Sequence, residues 1–198
     1  MRREHHIEVK EIIIEEGAVK KLEEAMSDGF LKEYISPLLI CDTNTLKATE
    51  ECLEDIYDRC QVLTLDAEGL HADEHAVEIV ENYMEEDIDL ILAVGSGTIH
   101  DISRYLAYQY KIPFISVPTA ASVDGFVSNV AAMTWKGLKK TVPAVAPLAV
   151  FADTDIFAHA PRRLTASGVS DLLGKIYLSC RLEDSQSSDK VNISAVKL

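Results

Sequence analysis

Basic residues are scarce in this sequence of 198 amino acids. Lysine and arginine total 19 against 33 aspartates and glutamates, which gives a formal net charge of −14. A field of this sign repels phosphate backbones and anionic headgroups, so neither nucleic acid nor a membrane surface is expected as the main partner. Small anionic ligands remain compatible with the charge, because they respond to local dipoles rather than to the net charge.

The sequence also lacks long apolar runs and paired cysteine motifs. Its apolar stretches are far shorter than the roughly 20 residues that a membrane span needs. Residues 1–6 lead into no apolar signal segment. None of the four cysteines belongs to a CxxC pair, so no zinc-ribbon or dithiol motif is visible. We therefore expect a cytoplasmic, reducing location for an ordinary globule.

Apolar strands alternate with amphipathic helices along the first 120 residues. Continuous apolar runs such as residues 90–94 predict strands that are covered on both faces. Helical spacing predicts helices at 46–57 and 98–110, and Lys136-Gly137 predicts a hairpin turn. This order predicts an α/β fold with a doubly wound, mainly parallel sheet, whose ligands bind beyond the carboxyl ends of the strands.

The last fifth of the sequence changes in character. Asp155 precedes a predicted helical turn and is expected to cap it, and a helix is predicted over residues 161–178. Residues 179–198 are polar and rich in serine, which predicts a mobile tail or an edge strand at 191–196.

The sharpest local signal is the sequence Ala-Val-Gly-Ser-Gly-Thr-Ile-His-Asp at residues 93–101. A strand runs into a Gly-x-Gly turn, and a helix begins at once. Glycines let the backbone approach a phosphate closely, and a helix N-terminus supplies free N–H groups. A tight turn without a ligand is the alternative, because Gly-x-Gly alone is a weak motif. Thr119, Ser122 and Asp124 follow the next strand and should lie at the same edge.

Five segments, taken in order, resemble sn-glycerol-1-phosphate dehydrogenase, within the superfamily of iron-containing alcohol dehydrogenases, glycerol dehydrogenases and dehydroquinate synthases. The segments are residues 40–45, 95–101, 119–128, 139–147 and 168–175. The resemblance runs from about residue 8 to about residue 176. It implies the Rossmann-like N-terminal domain of that fold, with a dinucleotide-binding domain over residues 1–178 and an unmatched polar tail over 179–198.

The resemblance also implies the ligands and the reaction. The cofactor would be NAD or NADP, and the reaction would be the reversible reduction of dihydroxyacetone phosphate, a small phosphorylated three-carbon substrate, to sn-glycerol 1-phosphate for phospholipid metabolism. Asp124 and Asp171 would bind substrate, and Asp171 would also bind a divalent metal, zinc or nickel. The implied cofactor residues are Asp42, Gly95, Ser96, Gly97, Thr98, Ile99, His100, Asp101, Thr119, Ala120, Ala121, Ser122 and Ser128.

The sequence departs from the family beyond Lys175. Members of the family continue into a helical domain that supplies two histidine ligands to the metal, and no such continuation is recognisable here. We therefore expect a chain that retains cofactor binding but has little turnover, with an incomplete metal site. The alternatives are a non-catalytic dinucleotide-binding module and an enzyme resembling glycerol dehydrogenase or dehydroquinate synthase. We also expect a homo-oligomer, formed through apolar area within residues 127–150.

Overall fold

Helices cover both faces of a central parallel sheet. This arrangement is seen in a computed structural model that describes residues 8–188, with side chains described for residues 8–179. The sheet strands are β1 (Glu11–Glu15), β2 (Pro37–Asp42), β3 (Gln61–Leu65), β4 (Leu90–Gly95), β5 (Phe114–Pro118) and β8 (Ala149–Asp153). The helices are α1 (Ala18–Ser27), α2 (Thr43–Thr49), α3 (Glu54–Tyr57), α4 (Glu74–Tyr83), α5 (Gly97–Tyr110), α6 (Thr154–His159) and α7 (Arg162–Ser188).

The six strands lie in the order β1-β8-β5-β4-β2-β3, and every adjacent pair is parallel. From β2 the chain moves outward to β3, and it then returns to β4 on the other side of β2. This reversal opens a crevice at the carboxyl ends of β2 and β4. The predicted doubly wound parallel sheet is confirmed.

Alternate residues of each strand pack into two separate cores. In β2, Leu38 and Ile40 face the core formed with α4 and α5, whereas Leu39 and Cys41 face the core formed with α1 and α3. All four side chains are fully buried. Burial on both faces explains why these strands read as continuous apolar runs in the sequence.

A two-stranded hairpin, β6 (Val130–Trp135) and β7 (Leu138–Pro143), packs against α5 outside the main sheet. Its turn is Lys136-Gly137, as predicted, with φ angles of 52° and 75°. Two successive positive φ angles are what a two-residue hairpin turn requires. Ala131 and Met133 are fully buried and join the α5 core.

The single helix predicted over residues 46–57 is wrong, because α2 and α3 are separate. The first helix begins earlier than expected, since Asp42 Oδ1 accepts the N–H groups of Asn44 and Thr45 at 2.9 Å each. The chain turns between the helices at residues 50–53, and this turn lets Leu53 and Ile56 both reach full burial.

Two details of the last segment also differ from expectation. Asp153 caps α6 by accepting the N–H of Asp155, so the predicted capping role of Asp155 is wrong. Helix α7 continues through residue 178 to Ser188 without a break. The strand expected at 191–196 lies outside the described residues.

Among the described helices, none is long and apolar enough to cross a membrane.

Helix α7 approaches the segment after β5 most closely at Gly168. A methyl group on Gly168 would lie 2.1 Å from the carbonyl oxygen of Ala121, which is far inside van der Waals contact. Gly174, six residues later on the same helix, has open space around it. The first glycine therefore permits the close packing of α7, and the second has no such role.

Gly168→Ala and Gly174→Ala should have opposite effects on stability. Alanine normally stabilises a helix by about 1 kcal/mol relative to glycine, and Gly174→Ala should show up to that gain. Gly168→Ala should instead lower the free energy of unfolding by about 1–3 kcal/mol, because backbone must move to admit the methyl group. Urea unfolding followed by circular dichroism measures both, and equal shifts in the two variants would contradict the packing.

Candidate functional site

A cleft of about 620 Å³ opens at the carboxyl ends of β2, β4 and β5. Its walls come from these strand ends, from α2 and the segment after β3, and from the α6–α7 junction. The lining residues are Asp42, Asn44, Thr45, Lys47, Ala48, Ala67, Leu70, Ser96, Thr98, Thr119, Ile156, His159, Ala160, Pro161, Arg163 and Leu164. The crevice predicted by the sheet order is therefore present as a real cavity.

The glycine turn forms the wall of the cleft between β4 and α5. A methyl group on Gly95 would lie 2.6 Å from Cγ1 of Ile99, so glycine is needed here for space rather than for an unusual φ. Ser96 is the N-cap of α5, but its side chain makes no capping hydrogen bond. The first amides of α5 have no acceptor within the helix, so they can bind an anion from the cleft.

Thr119 reaches the same wall from β5. Its backbone N–H donates to the carbonyl of Gly95 at 3.1 Å, which extends the pairing of β4 with β5 by one residue. The predicted convergence of the two strand ends is thus present in the structure.

Asp42 serves the fold as well as the cleft. Its Oδ1 is occupied by the two amides of the α2 cap, and its own N–H donates to Thr45 Oγ1 at 2.9 Å. The residue is 8% exposed and lines the cleft. Within the described part of the chain, Oδ2 has no hydrogen bond, so that oxygen is available to a ligand hydroxyl.

His100 is fully buried behind the glycine turn. Its Nδ1 lies 2.9 Å from the carbonyl of Ser96, and its Nε2 lies 2.8 Å from Ser116 Oγ. Because a carbonyl can only accept, Nδ1 carries the proton, and the Ser116 hydroxyl donates to Nε2. Burial, helped by the charge of Arg104, lowers the pKa of His100 to about 3. The side chain therefore holds the turn from inside as a neutral ring.

Arg104, one turn further along α5, is a buried cation that the sequence analysis missed. Its guanidinium donates to backbone carbonyls of the segment between β5 and β6, at Ser128 (2.9 Å) and Phe126 (3.4 Å), and to that of Val130, the first residue of β6, at 3.3 Å. Its Nε lies 3.7 Å from Asp101 Oδ1. Burial raises the pKa of Asp101 and lowers that of Arg104, and their mutual attraction opposes both shifts. The sequence signal for its burial was its position four residues after His100, on the apolar face of the same helix.

A second polar cluster joins α7 to the segment after β5. Lys175 Nζ donates to both carboxylate oxygens of Asp124, and the backbone N–H of Asp124 donates to Asp171 Oδ2 at 3.2 Å. The hydrogen bond from Lys175 is the largest cause of a lowered pKa at Asp124, and Asp124 in turn raises the pKa of Lys175. The two predicted substrate residues are therefore brought together, and Asp124 is paired with Lys175, a cation to which sequence reasoning gave no role.

These residues do not fit a catalytic metal ion by themselves. Asp171 accepts the backbone N–H of Asp124, and no group of three His, Cys, Asp or Glu side chains that could hold a metal ion occurs among the described residues. Catalytic zinc usually has three protein ligands and one open position.

The predicted cofactor residues separate into two sets. Asp42, Ser96, Thr98 and Thr119 line the cleft together. The others lie beside or behind it: Gly95, Gly97, Ile99, His100, Asp101, Ala120, Ala121, Ser122 and Ser128. Among the latter, Ile99 and His100 are fully buried, so their side chains cannot meet a ligand. Sequence reasoning missed the cations Lys47 and Arg163, which line the cleft from α2 and α7.

Replacing His100 should make the free energy of unfolding depend less steeply on pH in the acidic range. The folded-state pKa of about 3 lies below the unfolded value near 6.5, so only the unfolded chain binds this proton between those pH values. The free energy of unfolding should therefore fall with falling pH, with a contribution of about 1.4 kcal/mol per unit from this one group.

His100→Asn retains a donor for Ser96 O and removes that titration. We expect its stability to change less steeply than wild type between pH 6 and pH 4, as measured by urea unfolding at each pH. His75→Asn, at an exposed position of α4, controls for the loss of a histidine. Parallel profiles for wild type and His100→Asn would show that His100 is not buried as a neutral ring.

Known proteins resemble this chain in sequence and in structure. A family model described as iron-containing alcohol dehydrogenase matches residues 13–161. The glycerol-1-phosphate dehydrogenase, NAD(P)+, of Geobacillus thermodenitrificans is 38% identical over 183 residues, which are 88% of this chain and 45% of that protein. The protein of the same name from Bacillus subtilis is 38% identical over 177 residues, or 86% of this chain and 44% of that protein.

Solved structures share the fold. The glycerol dehydrogenase of Schizosaccharomyces pombe superposes with a TM-score of 0.68 at 23% identity, covering 85% of this chain and 43% of that one. An iron-containing alcohol dehydrogenase of Thermotoga maritima gives a TM-score of 0.68 at 16% identity, covering 84% of this chain and 52% of that one. The chain thus spans about half the length of the relatives that it matches. Since the family model covers more than half of the sequence, the chain belongs to the iron-containing alcohol dehydrogenase family.

Proposed function

We propose that this chain is the dinucleotide-binding part of an NAD(P)-dependent glycerol-1-phosphate dehydrogenase. The observation that carries the proposal is the single cleft in which Asp42, Ser96, Thr98 and Thr119 meet at three strand ends. The names of relatives at 38% identity supply the activity and the cofactor class. The reaction would be the reversible reduction of dihydroxyacetone phosphate to sn-glycerol 1-phosphate, which would place the chain in phospholipid metabolism in the cytoplasm.

Each lining residue has a defined task in this proposal. The first amides of α5, at Gly97 and Thr98, would hold the pyrophosphate, since they have no acceptors in the helix and Ser96 and Thr98 line the cleft there. Asp42 Oδ2 would accept a hydroxyl of the adenine-side ribose, and Thr119 would line the path toward the nicotinamide. The nicotinamide itself carries the hydride, and the protein orients it.

The substrate would lie near Asp124 and Asp171. The ammonium of Lys175 already neutralises Asp124, so a phosphorylated ketone would meet a site of mixed charge rather than two bare carboxylates. The metal ligand role of Asp171 would require further ligands beyond the described residues, whether zinc, nickel or iron is used. The alternative is a non-catalytic dinucleotide-binding module, and a turnover assay separates the two.

Two substitutions, Thr98→Asp and Thr98→Asn, test the pyrophosphate site. Their side chains have nearly the same volume and differ in charge. A carboxylate in the first turn stabilises the helix but repels a phosphate, so Thr98→Asp should bind NADH and NADPH at least about tenfold more weakly. Thr98→Asn should stay within about threefold of wild type, since it adds no charge. Calorimetric titration measures all three proteins.

Saturable micromolar binding by wild type is the expected result. A folded wild-type chain that binds neither dinucleotide would overturn the proposal. The same preparation should show no measurable reduction of dihydroxyacetone phosphate with NADPH, and a clear rate would instead exclude the non-catalytic candidate.

We also propose that the chain forms a homo-oligomer through exposed apolar side chains. The hairpin region exposes Leu138 at 64%, and α7 exposes a denser group that includes Leu172 and Leu173. Groups of exposed apolar side chains are typical of protein–protein contact sites.

Light scattering across a concentration series should show association of the wild-type chain. Leu138→Ser or Leu173→Ser should shift the equilibrium toward monomer, because each removes apolar area from one of the two surfaces. Ile35→Ser removes an isolated exposed isoleucine and should behave as wild type. A wild-type chain that is monomeric at every concentration would contradict the proposal.

A further inference from the structure

The cleft carries a local charge opposite to that of the whole protein. Its lining includes two permanent cations, Lys47 on α2 and Arg163 on α7, together with His159 at the end of α6. The only carboxylate in the lining is Asp42. In a chain with a net charge of −14, this excess of cations marks a place that favours an anion.

Neither Lys47 nor Arg163 forms an ion pair within the described fold that would explain its position. Lys21, Lys32 and Lys175 each pair with a carboxylate, whereas no carboxylate among the residues described forms an ion pair with Lys47 or Arg163. Arg163 is in the first turn of α7, where the helix dipole disfavours a positive charge. Lys47 lies in the last turn of α2, where the helix dipole favours a positive charge. For an exposed residue, that interaction contributes only a few tenths of a kcal/mol.

The position of Lys47 distinguishes it from the pyrophosphate site. The glycine turn follows β4, whereas Lys47 is on the helix that follows the neighbouring strand, β2. Beside Lys47, the cleft is lined by the apolar side chains Ala48, Ala67 and Leu70, which suit the face of a flat base. A dinucleotide whose pyrophosphate is on the glycine turn would therefore place its adenosine near α2, and any further phosphate on that ribose would lie near Lys47, in the cleft that Arg163 also lines.

We propose that Lys47 and Arg163 bind a phosphate on the adenine-side ribose and so determine the affinity of this cleft for NADPH relative to NADH. This inference rests on the proposed dinucleotide function. Asp42 acts in the opposite sense, because its Oδ2 favours a ribose hydroxyl and repels a phosphate. The two cations offset that repulsion, so the cleft accepts both cofactors.

The test compares NADH and NADPH affinities of wild type, Lys47→Gln and Arg163→Gln by calorimetric titration. Each variant should weaken NADPH binding by about tenfold and change NADH binding by less than about twofold, because only NADPH carries the additional phosphate. Competition by 2′,5′-ADP, which carries that phosphate, should weaken in parallel, while competition by 5′-AMP should not. Lys20→Gln, an exposed lysine of α1 outside the cleft, removes the same charge and should leave both affinities unchanged.

Each possible outcome decides between the inference and the proposal beneath it. Equal weakening of NADH and NADPH would mean that the cations bind the shared pyrophosphate, and unchanged affinities would mean that they contact neither; both results overturn the inference and leave the dinucleotide site standing. Failure of folded wild type to bind either cofactor would overturn the dinucleotide function and the inference together. Thermal unfolding of each variant verifies that the compared proteins are folded.

Discussion

A buried guanidinium determines how the segment between the main sheet and the hairpin is arranged. Arg104 is 2% exposed and cannot be hydrated, so its N–H groups must find acceptors within the protein. They find them in the carbonyls of Phe126, Ser128 and Val130, with a carboxylate at Asp101 close by. Removing either the cation or its acceptors would leave an uncompensated buried group, which is far more costly than the net gain of the intact network.

The segment after β5 is therefore held from two sides. Its far end is hydrogen-bonded to Arg104 of α5. Its near end packs against α7, where Gly168 leaves space for the carbonyl of Ala121. Between these points, Asp124 is tied to α7 through Lys175 and Asp171. A loop with no regular structure thus has a defined position, which is what a binding segment on a rigid sheet requires.

Much of the fold was predictable because period and order are local properties of the sequence. Runs such as residues 90–94 signal strands buried on both faces, and the Lys136-Gly137 turn has a strong chemical signature. The division between α2 and α3 was not predictable, because it depends on burying Leu53 and Ile56 in a core formed by distant strands. Of the site, the strand-end residues could be predicted, but Arg163 could not, since charge alone does not reveal the cleft that a side chain faces. For Arg104 the sequence offered only its spacing from His100, and charge alone does not reveal burial.

The protein contains two sets of charged groups, one largely buried and one exposed in the cleft. Arg104 and neutral His100 are buried and hydrogen-bonded within the protein, and the partly exposed Asp101 lies beside Arg104. The cations of the cleft are exposed, unpaired among the described carboxylates, and placed where a ligand would enter. Exposed charges are screened by salt and compete with water, so they contribute specificity more than affinity. The affinity of the cleft must then come from the preorganised amides of the glycine turn, whose geometry the buried network maintains.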